Sequence, residues 1–263
     1  MSDDIIKEAA IEVFKEQADK IYTDGFKPAT QEAGEALQTI VGLFNNVILY
    51  PLKKLNYTFK YKYNQFEQDL VEKTKNIPKQ NIIEPPLNVV GPTIEALKYT
   101  IDTEELREMY LNLLVSSINI DTVEYSHPGY VDIIKQMSSL DAKIFKIIVD
   151  GFQIPCSRVD FCFSNQMYTK AMPKIFAPKL IIENYDPFLI SSSVENLCRL
   201  GLVTHYDNGL LDYDYNKFKE HDFVKNRFEL FKTLRGEMEL EIKVTEEALR
   251  INDFGANFAK VCL

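Results

Sequence analysis

Ile6, Ala10, Val13, Gln17 and Ile21 recur every three or four residues, mostly apolar, which predicts a first helix that stops at Asp24-Gly25. A second helix is predicted from Pro28 to about Tyr50, with Gly34 and Gly42 on one face where another backbone could approach closely. From Leu52 the pattern sharpens. Leu52, Leu55, Phe59, Tyr63, Phe66 and Leu70 step by three and four, the spacing of a coiled-coil-like seam, and predict one long helix over 52–76. A helix of that length invites packing on a neighbouring helix or on a second copy of the chain. IPKQNIIEPP follows, and Pro78, Pro85 and Pro86 forbid a continuing helix, so 77–92 is expected to be an extended, Pro-rich connector.

Asp102-Thr103-Glu104-Glu105 carries the logic of a capping box and predicts a helix whose inner face is Leu106, Met109, Tyr110, Leu113, Leu114 and Ser117. Pro128 suits the first turn of a further helix, with His127 or Ser126 as the cap and Tyr130, Ile133, Ile134 and Met137 as a buried stripe. Ser138-Ser139-Leu140-Asp141 restarts the chain with another cap, and Leu140, Ile144, Ile147 and Ile148 continue to Gly151. His127 is therefore read as architecture, since no second catalytic-type residue stands near it in sequence.

The second half has a different pattern. Asp186-Pro187 opens a helix that closes at Leu200-Gly201-Leu202, where Gly201 can take the left-handed conformation and Leu202 can pack back on Leu197. LVTHY, DNG and LLDYDY predict a hairpin with positive φ at Asn208 and Gly209, and Asp212 and Asp214 on its wet face. A helix-like stretch over 217–234 comes next. Then Met238, Leu240, Ile242 and Val244 alternate with charged residues as a strand with one solvated face. A short strand, an Asn252 cap and a last helix through Phe254, Phe258 and Val261 complete the chain. The predicted fold class is mainly α with a small β component: a helical N-terminal half, 1–137, and an elaborated winged-helix-like C-terminal domain, 138–263.

Composition narrows the chemistry. The 263 residues are 46% hydrophobic and 26% charged, as in a folded chain, and the net charge of −9 argues against broad nucleic-acid affinity, which rests on Lys and Arg at phosphates. The acidic start MSDDIIKEAA lacks the features of a secretory signal, and the run 39–52 is shorter than the about 20 apolar residues a membrane span needs, so a cytoplasmic location is expected. Cys156, Cys162, Cys198 and Cys262 form no C-x-x-C pair and match no histidine cluster, so no metal site, cofactor or disulfide framework is expected. Phosphate-loop and dinucleotide motifs are missing. Cys198 and His205 are close in sequence, but on a helix and a strand respectively, which does not make a nucleophile pair. With no catalytic constellation in the sequence, the chain is not expected to be an enzyme or to have a small-molecule substrate.

The segments IPKQNIIEPP, LREMYLNLLVSSIN, SHPGYVDIIKQMSSLDAKIF, VENLCRLGLV and NDFGANFAKVC together resemble the abortive infection alpha family of bacteria, over about residue 28 to the C-terminus. The most specific element is the run 127–138, with His127, Pro128 and Tyr130. The resemblance implies a phage-resistance setting and carries over no catalytic residues.

Binding is therefore the expected mode of action, through a protein partner or self-association as a homo-oligomer. Two alternatives follow from particular residues. A winged helix could contact DNA, but its would-be recognition helix offers one cation, Arg199, so nucleic acid is not the expected partner. KKLNYTFKYKY interleaves Lys53, Lys54, Lys60 and Lys62 with Tyr57 and Tyr61, a stretch that could lie on an anionic surface and place the protein at the periphery of the inner membrane.

Overall fold

The computed structural model describes residues 35–44, 65, 68–163, 168–169, 171–235 and 239–263. The expected first helix, most of the 52–76 seam, and Lys53, Lys54, Tyr57, Lys60, Tyr61 and Lys62 lie outside the described residues. The chain is mainly helical with a small antiparallel sheet, as its patterning predicts. It divides into two compact units, one of 1–102 and 107–131, the other of 103–106 and 132–263.

In the first unit, α1 (Glu35–Phe44) buries Ala36, Ile40 and Val41. Among the described residues, nothing lies within 4 Å of where a Cβ at Gly42 would stand. A helical segment at 68–74 buries Leu70 and Thr74 and leads to a 3-10 turn, Lys79–Asn81, and a single antiparallel bridge between Ile82 and Asn119. The connector is shorter than the prolines suggest. Pro86 ends it by serving as N-cap of α2 (Leu87–Thr100), which carries Pro92 inside and buries Val89, Val90, Ile94 and Leu97. A proline near a helix start removes few hydrogen bonds, whereas the burial of that apolar face stabilises the helix around it. α3 (Glu104–Ser117) matches expectation, with Leu106, Met109, Tyr110, Leu113, Leu114 and Ser117 all buried, and its first turn belongs to the second unit.

α4 (Gly129–Lys135) precedes α5 (Ser139–Gly151). Ser138 and Asp141 form the predicted capping box: Asp141 N–H donates to Ser138 Oγ at 3.1 Å, and Ser138 N–H donates to the Asp141 carboxylate at 2.7 Å. The sheet of the second unit has four antiparallel strands in the order β2-β1-β4-β3, namely β1 (Gln153–Phe163), β2 (Tyr168–Thr169), β3 (Val203–Tyr206) and β4 (Leu240–Ile251). Between β1 and β3 runs α6 (Pro187–Arg199), capped by Asp186, whose side chain accepts from Phe188 N–H at 2.7 Å. α6 ends as predicted. Gly201 has φ +74°, its N–H donates to Cys198 O, and Leu202 N–H donates to Leu197 O, the paired bonds of a left-handed helix stop.

Several expectations for this unit are corrected. β1 was not foreseen, and the second strand of the DNG hairpin is not LLDYDY. β3 pairs instead with β4, Thr204 opposite Arg250, while 207–216 forms turns in which neither Asn208 nor Gly209 has positive φ. Tyr215 explains this, for it is buried and its hydroxyl accepts from Leu210 N–H at 2.9 Å and donates to Glu247 O at 2.8 Å, which folds the segment back on the sheet. Asp214 likewise serves a turn, accepting from Asn216 N–H at 3.0 Å. The helical stretch is broken into α7 (Lys217–Glu220) and α8 (Asp222–Arg235) at His221, whose Nδ1 accepts from Phe223 N–H at 3.2 Å. β4 runs unbroken into the predicted short strand, and Asn252 caps α9 (Asp253–Cys262) by accepting from Gly255 N–H at 2.9 Å.

Both faces of β1 are covered, over different lengths. Ile154 and Cys156 are buried on one face near α5 and α6, and Val159 and Phe161 on the other, against Phe176, Tyr215, Phe218 and Val224.

Candidate functional site

Three strands of the second unit bring together residues that no local motif connects. Cys156 on β1 lies directly opposite Glu247 on β4, and His205 on β3 lies opposite Leu249, two residues along the same face of β4. The result is a cluster in which the Cys156 thiol, a His205 ring nitrogen and a Glu247 carboxylate oxygen all lie within 4.8 Å of one another. His205 Nε2 is 3.0 Å from Glu247 Oε2. Cys156 and Glu247 are buried and His205 is partly exposed, so solvent reaches the cluster from the β3 side. Burial pushes the Cys156 thiol well above its ordinary value, and the negative charge of Glu247 and the Cys198 sulfur add to it. Burial of that kind disfavours the thiolate, the form in which a cysteine attacks as a nucleophile. Burial also pushes the Cys198 thiol up to about 11, with Glu195 adding to the effect. The cysteine brought to His205 is thus Cys156, and only the strand register reveals it.

His127 is placed at the start of α4, where its Nδ1 accepts from Gly129 N–H at 3.0 Å and its ring lies 5.7 Å from that of Tyr130. Pro128 sits between them in the turn, and Tyr130 is buried. Arg199 is exposed, but its guanidinium is committed to neighbours: Gln136 Oε1 at 2.9 Å and Asn196 Oδ1 at 2.7 and 3.0 Å.

A surface feature was not visible in the sequence. Phe188 and Leu189 in the first turn of α6 are exposed, and Arg227 of α8 lies over the Phe188 ring at 5.0 Å. One and two turns beyond Arg227, Leu230 and Leu234 are 57% and 72% exposed, so the two helices share an apolar stripe on the outside. Phe188 also borders a cleft of about 570 Å³ rimmed by Arg158, Lys174 and Lys243, with Val159, Asp160, Met172 and Pro173 completing it. Asp160 pairs with Arg158 at 3.3 Å and Glu195 with Lys174 at 3.1 Å. Elsewhere on the same unit Leu211 projects fully into solvent beside exposed Asp212.

These features describe a mainly helical protein with a small sheet, a buried polar cluster and an apolar outer stripe. Residues 58–262 match the model of the family described as abortive infection alpha, and the chain belongs to that family. Its setting is accordingly abortive infection, a form of phage defence. No curated protein sequence matches the chain. Among solved structures, an uncharacterized protein from the hydrocarbon-degrading marine bacterium Alcanivorax borkumensis SK2 shares 12% identity over 50% of this chain and 90% of its own, with a TM-score of 0.31, a likeness too loose to bear on fold or function. Among the described residues, no helix is long and apolar enough to cross a membrane.

Proposed function

We propose that this protein acts in phage defence without catalytic turnover, through protein contacts, and that the first of these is with a second copy of itself. The observation that carries this reading is the exposed stripe of Phe188, Leu189, Leu230 and Leu234 beside the cleft of Arg158, Lys174 and Lys243. Contiguous apolar surface next to a polar rim is the usual form of a protein-binding face. The chain itself offers a complement: Leu211, fully exposed between Asp207, Asp212 and Asp214, presents an apolar tip among acids. One copy's Leu211 loop meeting another's cleft is a head-to-tail contact, which builds a ring or an open chain. The order α5, β1, α6, β3, β4, with β4 between β1 and β3, supports a winged-helix-like second unit. The commitment of Arg199 to Gln136 and Asn196 favours a protein partner over DNA for that unit.

The test is sedimentation velocity of the full chain at rising concentration, beside Leu211→Asp and the double variant Leu230→Glu with Leu234→Glu. Concentration-dependent oligomers in the wild type that collapse to monomer in the variants, together with loss of phage protection in a plaque assay, are expected. A wild type that stays monomeric throughout, or variants that assemble unchanged, would refute the reading.

A further inference from the structure

We propose that Cys156, His205 and Glu247 form a binding site for a borderline divalent transition-metal ion, zinc(II) foremost, with water entering from the His205 side as the fourth ligand. The three donor atoms already lie within 4.8 Å of one another, and the imidazole and carboxylate are 3.0 Å apart. Bonds of about 2.0 Å to nitrogen and oxygen and about 2.3 Å to sulfur put the donors of a tetrahedral zinc ion roughly 3–4 Å from one another, so side-chain adjustments of an ångström or less close the site.

The donor set chooses the metal. One sulfur, one imidazole nitrogen and one carboxylate oxygen suit zinc, whereas magnesium and calcium need oxygen donors alone. The surroundings support it. Glu247 is 4% exposed in the middle of a sheet, where a carboxylate is costly unless a cation answers it, and its polar neighbours in the cluster are the partly exposed His205 ring and the Cys156 thiol. The backbone at Glu247 is itself held, its carbonyl accepting from the buried Tyr215 hydroxyl at 2.8 Å. Each ligand comes from a different strand, so the site is positioned by regular sheet geometry rather than by a loop. Binding replaces the thiol proton, which leaves to solvent, by a sulfur–metal bond, with no change of oxidation state. Such an ion would clasp β1, β3 and β4 at one point.

The experiment uses the full, tag-free chain. Metal content after dialysis is measured by plasma mass spectrometry, and cobalt(II) is titrated in as a spectroscopic probe. The wild type is expected to retain about one zinc per chain and, with cobalt, to show a sulfur-to-metal charge-transfer band and the intense visible bands of a tetrahedral ion. Cys156→Ser should lose the charge-transfer band and the retained zinc, and Cys162→Ser should keep both. Should Cys156→Ser fail to fold, His205→Gln, at a partly exposed position, replaces it and is expected to lose the retained zinc. A wild type with little zinc and no sulfur–cobalt band overturns the proposal and leaves His205 and Glu247 as a hydrogen-bonded pair only. A band that persists in Cys156→Ser, or zinc unaffected in His205→Gln, overturns it equally by placing the metal elsewhere.

Discussion

Replacing Asp141 by alanine tests what fastens α5 to α6. Asp141 is 4% exposed and its carboxylate accepts from three donors: Ser138 N–H at 2.7 Å, Asn196 Nδ2 at 3.0 Å and the buried Ser193 hydroxyl. Ser138 Oγ still caps the backbone N–H of residue 141, but the Ser138 N–H loses its acceptor, the other half of the capping box, at about 1 kcal/mol. Ser193, buried on α6, is then left without its acceptor, at roughly 1–3 kcal/mol. Asn196 keeps Gln136 O at 3.1 Å and is half-exposed, so water replaces its lost partner at little cost. The sum is roughly 2–4 kcal/mol. Urea unfolding followed by circular dichroism reads it as a lower midpoint at unchanged slope. A double-mutant cycle with Ser193→Ala isolates the link between the helices, since Ser193→Ala removes the orphaned hydroxyl. A coupling of roughly 1 kcal/mol or more is expected. If Asp141→Ala costs no more than an ordinary exposed cap, or if the two changes are additive, Asp141 is not the fastening.

Two glycines should respond differently to alanine. At Gly201 only the left-handed backbone objects, for a Cβ would meet nothing within 4 Å, and the loss should be roughly 1–2 kcal/mol. At Gly255 a Cβ would stand 2.0 Å from the carbonyl oxygen of Leu202, so α9 must shift off the chain beneath it, and thermal melts should show the larger loss; equal losses would contradict this packing. Cys198, with its thiol held at about 11, is almost wholly protonated at neutral pH. Its alkylation at pH 8 should be on the order of a hundredfold slower than that of a free thiol of pKa about 8.5, and should rise about tenfold per pH unit until pH 10. Rapid labelling of Cys198 at pH 7, followed by peptide mass spectrometry, would contradict it.

The helices were legible wherever one face is buried and the ends carry their own signals. α3, α5 and α6 follow from their stripes and from Ser138, Asp141, Asp186 and Gly201, because caps and left-handed stops are local chemistry. β1 was not legible, because Ile154, Cys156, Ser157, Val159, Phe161 and Cys162 are buried across both faces and so erase the alternation that marks a half-solvated strand. The hairpin failed for a related reason. DNG is a strong turn signal, but the burial of Tyr215 outweighed it and freed β3 to pair with β4. The cluster could not have been found at all from spacing. Cys156, His205 and Glu247 meet only through the register of three strands, and each alone has an ordinary explanation.

That register has a consequence for how the protein is made. β1 leaves the ribosome well before β4, which must travel past α6, β3, α7 and α8 before it can pair along the whole of β1. Throughout that interval an eleven-residue strand that carries Ile154, Val159, Phe161 and Phe163 has one edge with no partner beyond nascent chain. Pairing across such a separation is slow, and open apolar edges are where new chains stick to one another. Synthesis of this protein should therefore depend on chaperones that shield β1, and its yield should fall first in cells where those chaperones are overdrawn.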